Sequence, residues 1–146
     1  MSNLNSQFDT VKGWPNGSAL SYSFKQKDAV TPAIEEGTIV AVEDESGVAV
    51  VDRYTSDVTA SGNPDSPWLV IQGADQSDAD FADKMTCVKL RTGIVFKVAT
   101  AETPSVGDLL WANAGVLTGT DPNPTSPHLG KVIEFNPTDG YMVVES

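Results

Sequence analysis

The amino-acid sequence predicts an all-β fold, a compact β-barrel or β-sandwich with an extended N-terminal arm, and three observations point there. Turn-forming residues recur at intervals of roughly 8–12 residues, the rhythm of sandwiches and barrels. Between them lie short runs rich in valine, isoleucine and threonine, of a length that suits single strands. No long segment holds the 3.6-residue apolar period of an amphipathic helix, and one short helix at most is expected, around residues 78–84. With 146 residues, the chain can bury roughly 70 % of its unfolded surface in one core without disulfide or metal.

The first thirty residues form the expected arm. Gly13-Trp14-Pro15-Asn16-Gly17-Ser18 is dense in turn formers and should bend the backbone. Beyond it Leu20, Tyr22 and Phe24 alternate with small or polar residues, the pattern of a short half-exposed strand. Phe8, Val11 and Trp14 are apolar anchors in an otherwise polar stretch. An arm of this kind is either tied to its own domain or reaches to a neighbour.

Residues 31–146 read as one β domain. Thr38-Ile39-Val40-Ala41-Val42 and Val48-Ala49-Val50-Val51 flank an acidic turn over residues 43–47 and should make a hairpin. Residues 55–67 read as a loop, and Trp68-Leu69-Val70-Ile71-Gln72 as a buried strand. After an acidic polar segment, residues 86–90 and 94–99 form two strands or one bent strand around Arg91-Thr92-Gly93. Leu109-Leu110-Trp111-Ala112 and Val116-Leu117-Thr118 follow, separated by the turn Asn113-Ala114-Gly115. A loop rich in proline and threonine precedes a final hairpin of residues 131–135 and 141–144.

Charge narrows the class of partner. Twenty acidic residues face nine basic ones, a formal net charge of −11 with a pI near 4.2. Nucleic-acid affinity comes mostly from cations neutralising phosphates, so binding to nucleic acid is not expected, nor is binding to an anionic membrane. High negative charge favours solubility and keeps free copies apart. The polar opening Met1-Ser2-Asn3-Leu4-Asn5-Ser6 has no secretory pattern, and no apolar run reaches the ~20 residues of a membrane helix. A cytoplasmic site of synthesis is therefore expected.

The residue types that carry catalysis or metal binding stand in unsuitable contexts. Cys87 is the single cysteine, with no cationic or histidine neighbour in sequence, so a small buried thiol is expected. Asp75, Asp78, Asp80 and Asp83 superficially resemble a calcium loop. The glycine and the closing glutamate of an EF-hand are missing, which leaves a solvated polar segment. The acid pairs at Glu35-Glu36 and Glu43-Asp44-Glu45 fall in turns where nothing would desolvate a general acid. His128 is the single histidine and stands without a nucleophile elbow or a second ligand, so a surface or packing role is expected. Phosphate-loop and dinucleotide motifs are lacking, and no cofactor is expected. Trp68 and Trp111 lie in apolar runs and are expected in the core, whereas Trp14 is a candidate interface anchor. Binding or assembly, not catalysis, is the expectation that remains.

Three stretches carry a likeness. One is the arm Lys12-Gly13-Trp14-Pro15-Asn16-Gly17-Ser18, and another is Glu36-Gly37-Thr38-Ile39-Val40-Ala41-Val42 with its glycine-turn hairpin. The third joins Gly93-Ile94-Val95-Phe96-Lys97-Val98, Val106-Gly107-Asp108-Leu109-Leu110-Trp111, Gly115-Val116-Leu117 and Leu129-Gly130-Lys131-Val132-Ile133-Glu134. In this pattern the chain resembles the capsid decoration, or cement, proteins of tailed bacteriophages, and the likeness spans nearly the whole sequence. The resemblance implies a virion protein on the outer capsid surface, made in the host cytoplasm, that binds the major capsid protein and bridges neighbouring subunits. It implies self-association as a trimer or dimer at a symmetry axis, and capsid contacts through the arm, with Phe8, Trp14, Pro15, Tyr22 and Phe24 as candidates. Three rivals are a tail-tube or head-completion subunit, a carbohydrate-binding module with exposed aromatics, and, weakest, an enzyme with a cleft of shifted acids.

Overall fold

The computed structural model describes residues 8–12, 21–27, 34–56, 67–73, 84–123 and 126–146, with backbone alone for 8–12 and 21. The turn holding Trp14 and Pro15, most of the 55–67 loop, the acidic segment with its expected helix and calcium-like pattern, and residues 124–125 lie outside these. Among the described residues there are eleven strands and no helix, so the fold is all-β as the sequence predicts.

Two sheets share the strands. Five of them, β2 (Ser21–Gln26), β3 (Ile39–Glu45), β4 (Val48–Arg53), β5 (Trp68–Gln72) and β6 (Lys84–Lys89), close a barrel in the order β2-β4-β3-β5-β6. The other six form a sheet in the order β1-β7-β11-β10-β8-β9. These are β1 (Phe8–Lys12), β7 (Val95–Ala99), β8 (Leu109–Asn113), β9 (Val116–Thr118), β10 (Gly130–Asn136) and β11 (Tyr141–Glu145). The ambiguity around Arg91-Thr92-Gly93 resolves into two strands in different sheets, with Gly93 at φ 95° turning the chain from barrel to sheet.

Both described pieces of the first thirty residues are paired to the rest of the chain. β1 lies antiparallel to β7. β2 pairs antiparallel with β6 and parallel with β4, and this second pairing closes the barrel. Closure removes the open edges that invite strand addition.

Period-2 alternation then sends successive side chains to two different cores. Val40, Trp68, Val70, Met85 and Cys87 fill the barrel with Phe24, Ile34 and Val51. Their neighbours Ile39, Ala41 and Leu69 point out of the barrel and meet Phe96, Val98, Leu110, Leu117, Val132, Met142 and Val144 of the sheet. The barrel wall is thus buried on both faces, which is why Trp68-Leu69-Val70 reads as an unbroken apolar run.

Hairpin geometry corrects one expectation. Glu43-Asp44-Glu45, expected as turn, continues β3 up to the pair Glu45 and Val48. The turn is only Ser46-Gly47, with φ of 54° and 84°. Two left-handed residues in succession match the twist of the strands, so the ladder runs right up to them. Lys27 supports the acidic strand: its Nζ lies 2.7 Å from Glu43 Oε2, and this hydrogen bond with the carboxylate's charge holds the ammonium above its ordinary value.

Polar welds join the sheet to the barrel. Ser56, buried, accepts a bond at its Oγ from the Ala112 N–H (3.0 Å), while its own N–H donates to the Ala112 carbonyl (2.7 Å). Ser126 Oγ donates to the Ser56 carbonyl at 2.7 Å. The Ile39 N–H donates to the Gly115 carbonyl (2.9 Å), and the Gly115 N–H to that of Tyr54 (2.8 Å). No buried side-chain polar atom among the described residues lacks a partner, as a rigid two-core arrangement requires.

Cys87 is fully buried in the barrel, and loss of hydration pushes its thiol from 9.0 up to about 12. Alkylation of the folded chain at pH 8 should run roughly a thousandfold slower than in denaturant, from thiolate population alone. The unfolded thiol ionises near its ordinary value while the folded one keeps its proton. This contribution to stability is therefore whole below pH 9 and declines as pH rises toward 12. Equal alkylation rates in the two states would contradict this burial.

Candidate functional site

The five contact candidates have different fates. Phe8 lies in β1, where the backbone alone is described, and Trp14 and Pro15 fall outside the described residues. Tyr22 is 61 % exposed, its ring 4.8 Å from that of Phe24. Phe24 is buried and meets Trp68 edge-on at 5.0 Å, so it serves the barrel interior and not the surface. Of these candidates, Tyr22 alone has a described side chain that is open to solvent.

The larger exposed apolar surface lies on the sheet and was not anticipated. In β8, Leu110 and Ala112 point into the core, so Leu109, Trp111 and Asn113 share the outer face. Trp111, expected in the core, is half-buried there instead, with its indole N–H bonded to the Ser126 carbonyl at 3.0 Å. The register sets the reason: an inward Trp111 would turn Leu110 and Ala112 outward. Pairing of Asn113 with Val116 brings Val116 to the same outer face, 66 % exposed.

Beside β8, β10 presents Lys131 opposite Leu109, followed by Ile133 at the bulge between Val132 and Glu134. A tight turn completes the strip. The Asp108 N–H bonds the Ser105 carbonyl, the Ser105 N–H bonds Asp108 Oδ2, and Gly107 takes φ 97°. Val106 stands at its corner, 69 % exposed, and the Gly107 N–H donates to the Val132 carbonyl, setting this corner next to Ile133. Val106, Leu109, Ile133, Trp111 and Val116 together form a discontinuous apolar strip across the outer face of β8, β9 and β10. Alternation in Leu109-Leu110-Trp111 was the available signal: in a one-sided strand only every second large residue can be buried.

Other expected features fall as follows. Glu35 and Asp44 are exposed, and Glu43 is engaged by Lys27. His128 is exposed and borders a cleft between barrel and sheet. Among the described residues no group of three or more His, Cys, Asp or Glu side chains is placed to hold a metal ion. No family model matches this chain, and comparison with curated proteins and with solved structures gives no match.

Proposed function

We propose that this chain is a decoration protein of a bacteriophage head, binding the outer capsid surface and bridging neighbouring copies of the major capsid protein. One observation supports this reading above others: large apolar side chains left exposed on the outer face of a sheet whose inner face is packed on the barrel, in a strongly acidic protein. Exposed apolar side chains gathered on one face, not scattered singly, favour an interaction site there. Net charge of −11 keeps free copies dispersed until a matching surface appears. A shell gains stability from any ligand that binds only its expanded form, and many copies each contributing modestly are enough. Copies meeting at a capsid axis would form a trimer or dimer. The resemblance of the sequence pattern to cement proteins supplies the identity of the partner, and the strip supplies a surface for it.

The test is co-sedimentation with emptied, expanded heads. The wild-type chain should saturate at a fixed ratio to the major capsid protein. Leu109→Glu combined with Ile133→Glu should weaken binding about tenfold or more, by the usual cost of losing a central apolar contact, with the unfolding midpoint unchanged. Trp14→Ala reports on the arm. A truncation reaching residue 24 would remove most of β2 and open the barrel, so the arm is tested by substitution. Absence of binding to expanded heads would remove the decoration reading, and the tail-tube and glycan-binding alternatives would take its place.

A further inference from the structure

A cleft of about 510 Å³ runs between barrel and sheet, where the β6–β7 turn meets the start of β8, the start of β10 and the end of β11. Its apolar lining comes from Leu90, Leu109 and Leu129. Arg91, His128 and Lys131 border it, all exposed, and the side chains of all three are without an ion pair or hydrogen bond among the described residues. In a chain with 20 acids and 9 bases, two cations and the single histidine at one cleft are a local concentration of positive groups. Glu145, the cross-strand partner of Lys131, and the Ser146 carboxylate line the same cleft and offset much of that charge.

We infer that this cleft binds a single carboxylate carried on an apolar body, with Arg91 as its principal partner. The guanidinium presents a planar fork that matches a carboxylate, and Lys131 and the His128 ring supply further donors. With Glu145 and the Ser146 carboxylate on the same walls, a doubly charged phosphate is disfavoured. The leucines take the apolar body, and the volume lies in the usual range for small-ligand sites of roughly 300–1,000 Å³.

The walls are fixed before anything binds. Ser146 Oγ donates to the Arg91 carbonyl at 2.5 Å, and the Gly93 N–H donates to the Ser146 carbonyl at 2.9 Å. The Leu90 N–H bonds the Pro67 carbonyl (2.9 Å) and the Leu129 N–H that of Leu110 (2.7 Å). A preorganised cleft loses little freedom on binding. The carboxylate has two sources with the same chemistry, a free organic acid or an acidic side chain beside an apolar one in a protein segment.

The experiment is an amide-resolved NMR titration of the full chain with sodium hexanoate, with acetate, inorganic phosphate and hexylamine as comparisons. Hexanoate should give saturable shifts at residues 90–93, 109 and 129–131. Acetate and phosphate should bind at least several-fold more weakly, and hexylamine should not bind there. Arg91→Gln, a surface change that leaves the unfolding midpoint in place, should weaken hexanoate about tenfold, as expected for loss of a charge-assisted pair worth about 1.4 kcal/mol. An acetyl-Leu-Glu-amide peptide binding more tightly than hexanoate identifies a protein segment as the source, and the reverse order a free acid. Lack of saturable shifts at those residues, an equal response to hexylamine or phosphate, or an unchanged affinity in Arg91→Gln would overturn the assignment. Head binding is a separate readout, so either result leaves the decoration proposal to its own test.

Discussion

Phe96→Ala should destabilise the protein by about 3–5 kcal/mol, the range for removing a fully buried aromatic ring. Phe96 leads the fully buried side chains in size and sits in the cluster that holds Ile39, Ala41 and Leu69 of the barrel with Leu110, Val132 and Met142 of the sheet. Its removal leaves a void between two layers held apart by their own backbone ladders, so neither can collapse freely into the space. The midpoint of thermal unfolding should fall by about 10 °C or more. Val116→Ala, at a side chain 66 % exposed, should stay within about 0.5 kcal/mol. Chemical denaturation of both variants measures the contrast. A loss below about 1 kcal/mol for Phe96→Ala would mean that barrel and sheet do not share one core.

Gly115→Ala should cost about 3 kcal/mol, and Gly47→Ala about 1 kcal/mol, although both glycines occupy the second position of a two-residue turn. Their backbones are alike, with φ of 83° and 84°. Their surroundings are not. A Cβ on Gly47 would meet nothing within 4 Å, so only the left-handed conformation is penalised. A Cβ on Gly115 would lie 2.5 Å from Thr38 Cγ2, 3.1 Å from the Ile39 carbonyl oxygen and 3.3 Å from Arg53 Cγ. Thr38 is β-branched and stiff, and the Ile39 oxygen is backbone, so relief requires the β8–β9 hairpin to lift off the barrel. That movement would stretch the bonds from Ile39 to Gly115 and from Gly115 to Tyr54. Equal costs at the two positions would show that this junction is loose.

Much of the architecture was written in local pattern. The β-branched runs at residues 38–42, 48–51, 68–72 and 94–99 all became strands, and the final hairpin formed around residues 137–140 with Gly140 at φ 71°. What local pattern missed is non-local. Nothing in Ser21–Gln26 announces a parallel partner, because the pairing with β4 depends on where the barrel closes. Thr55 and Ser56 read as loop residues, yet Thr55 Oγ1 accepts from the Ala114 N–H and Ser56 bridges to Ala112, both more than fifty positions away. Glu43-Asp44-Glu45 looked like a turn because charge resembles a loop, while strand pairing depends on the backbone and on the Ser46-Gly47 turn beyond it.

The candidate surface was legible only in part. Alternation marks Tyr22 and Phe24 alike, placing both on one face without saying that the face closes over the second. The strip of Val106, Leu109, Val116 and Ile133 is assembled from one turn and three strands. Only the pairing of β8 with β9 and β10 brings it together.

The most direct test of the central proposal is a reconstruction by electron cryomicroscopy of emptied, expanded heads saturated with the protein. The account predicts added density on the outer capsid surface at a repeating symmetry position, with the outer face of β8, β9 and β10 turned toward the major capsid protein. Density lining a central channel, or heads left bare at saturating protein, would contradict it.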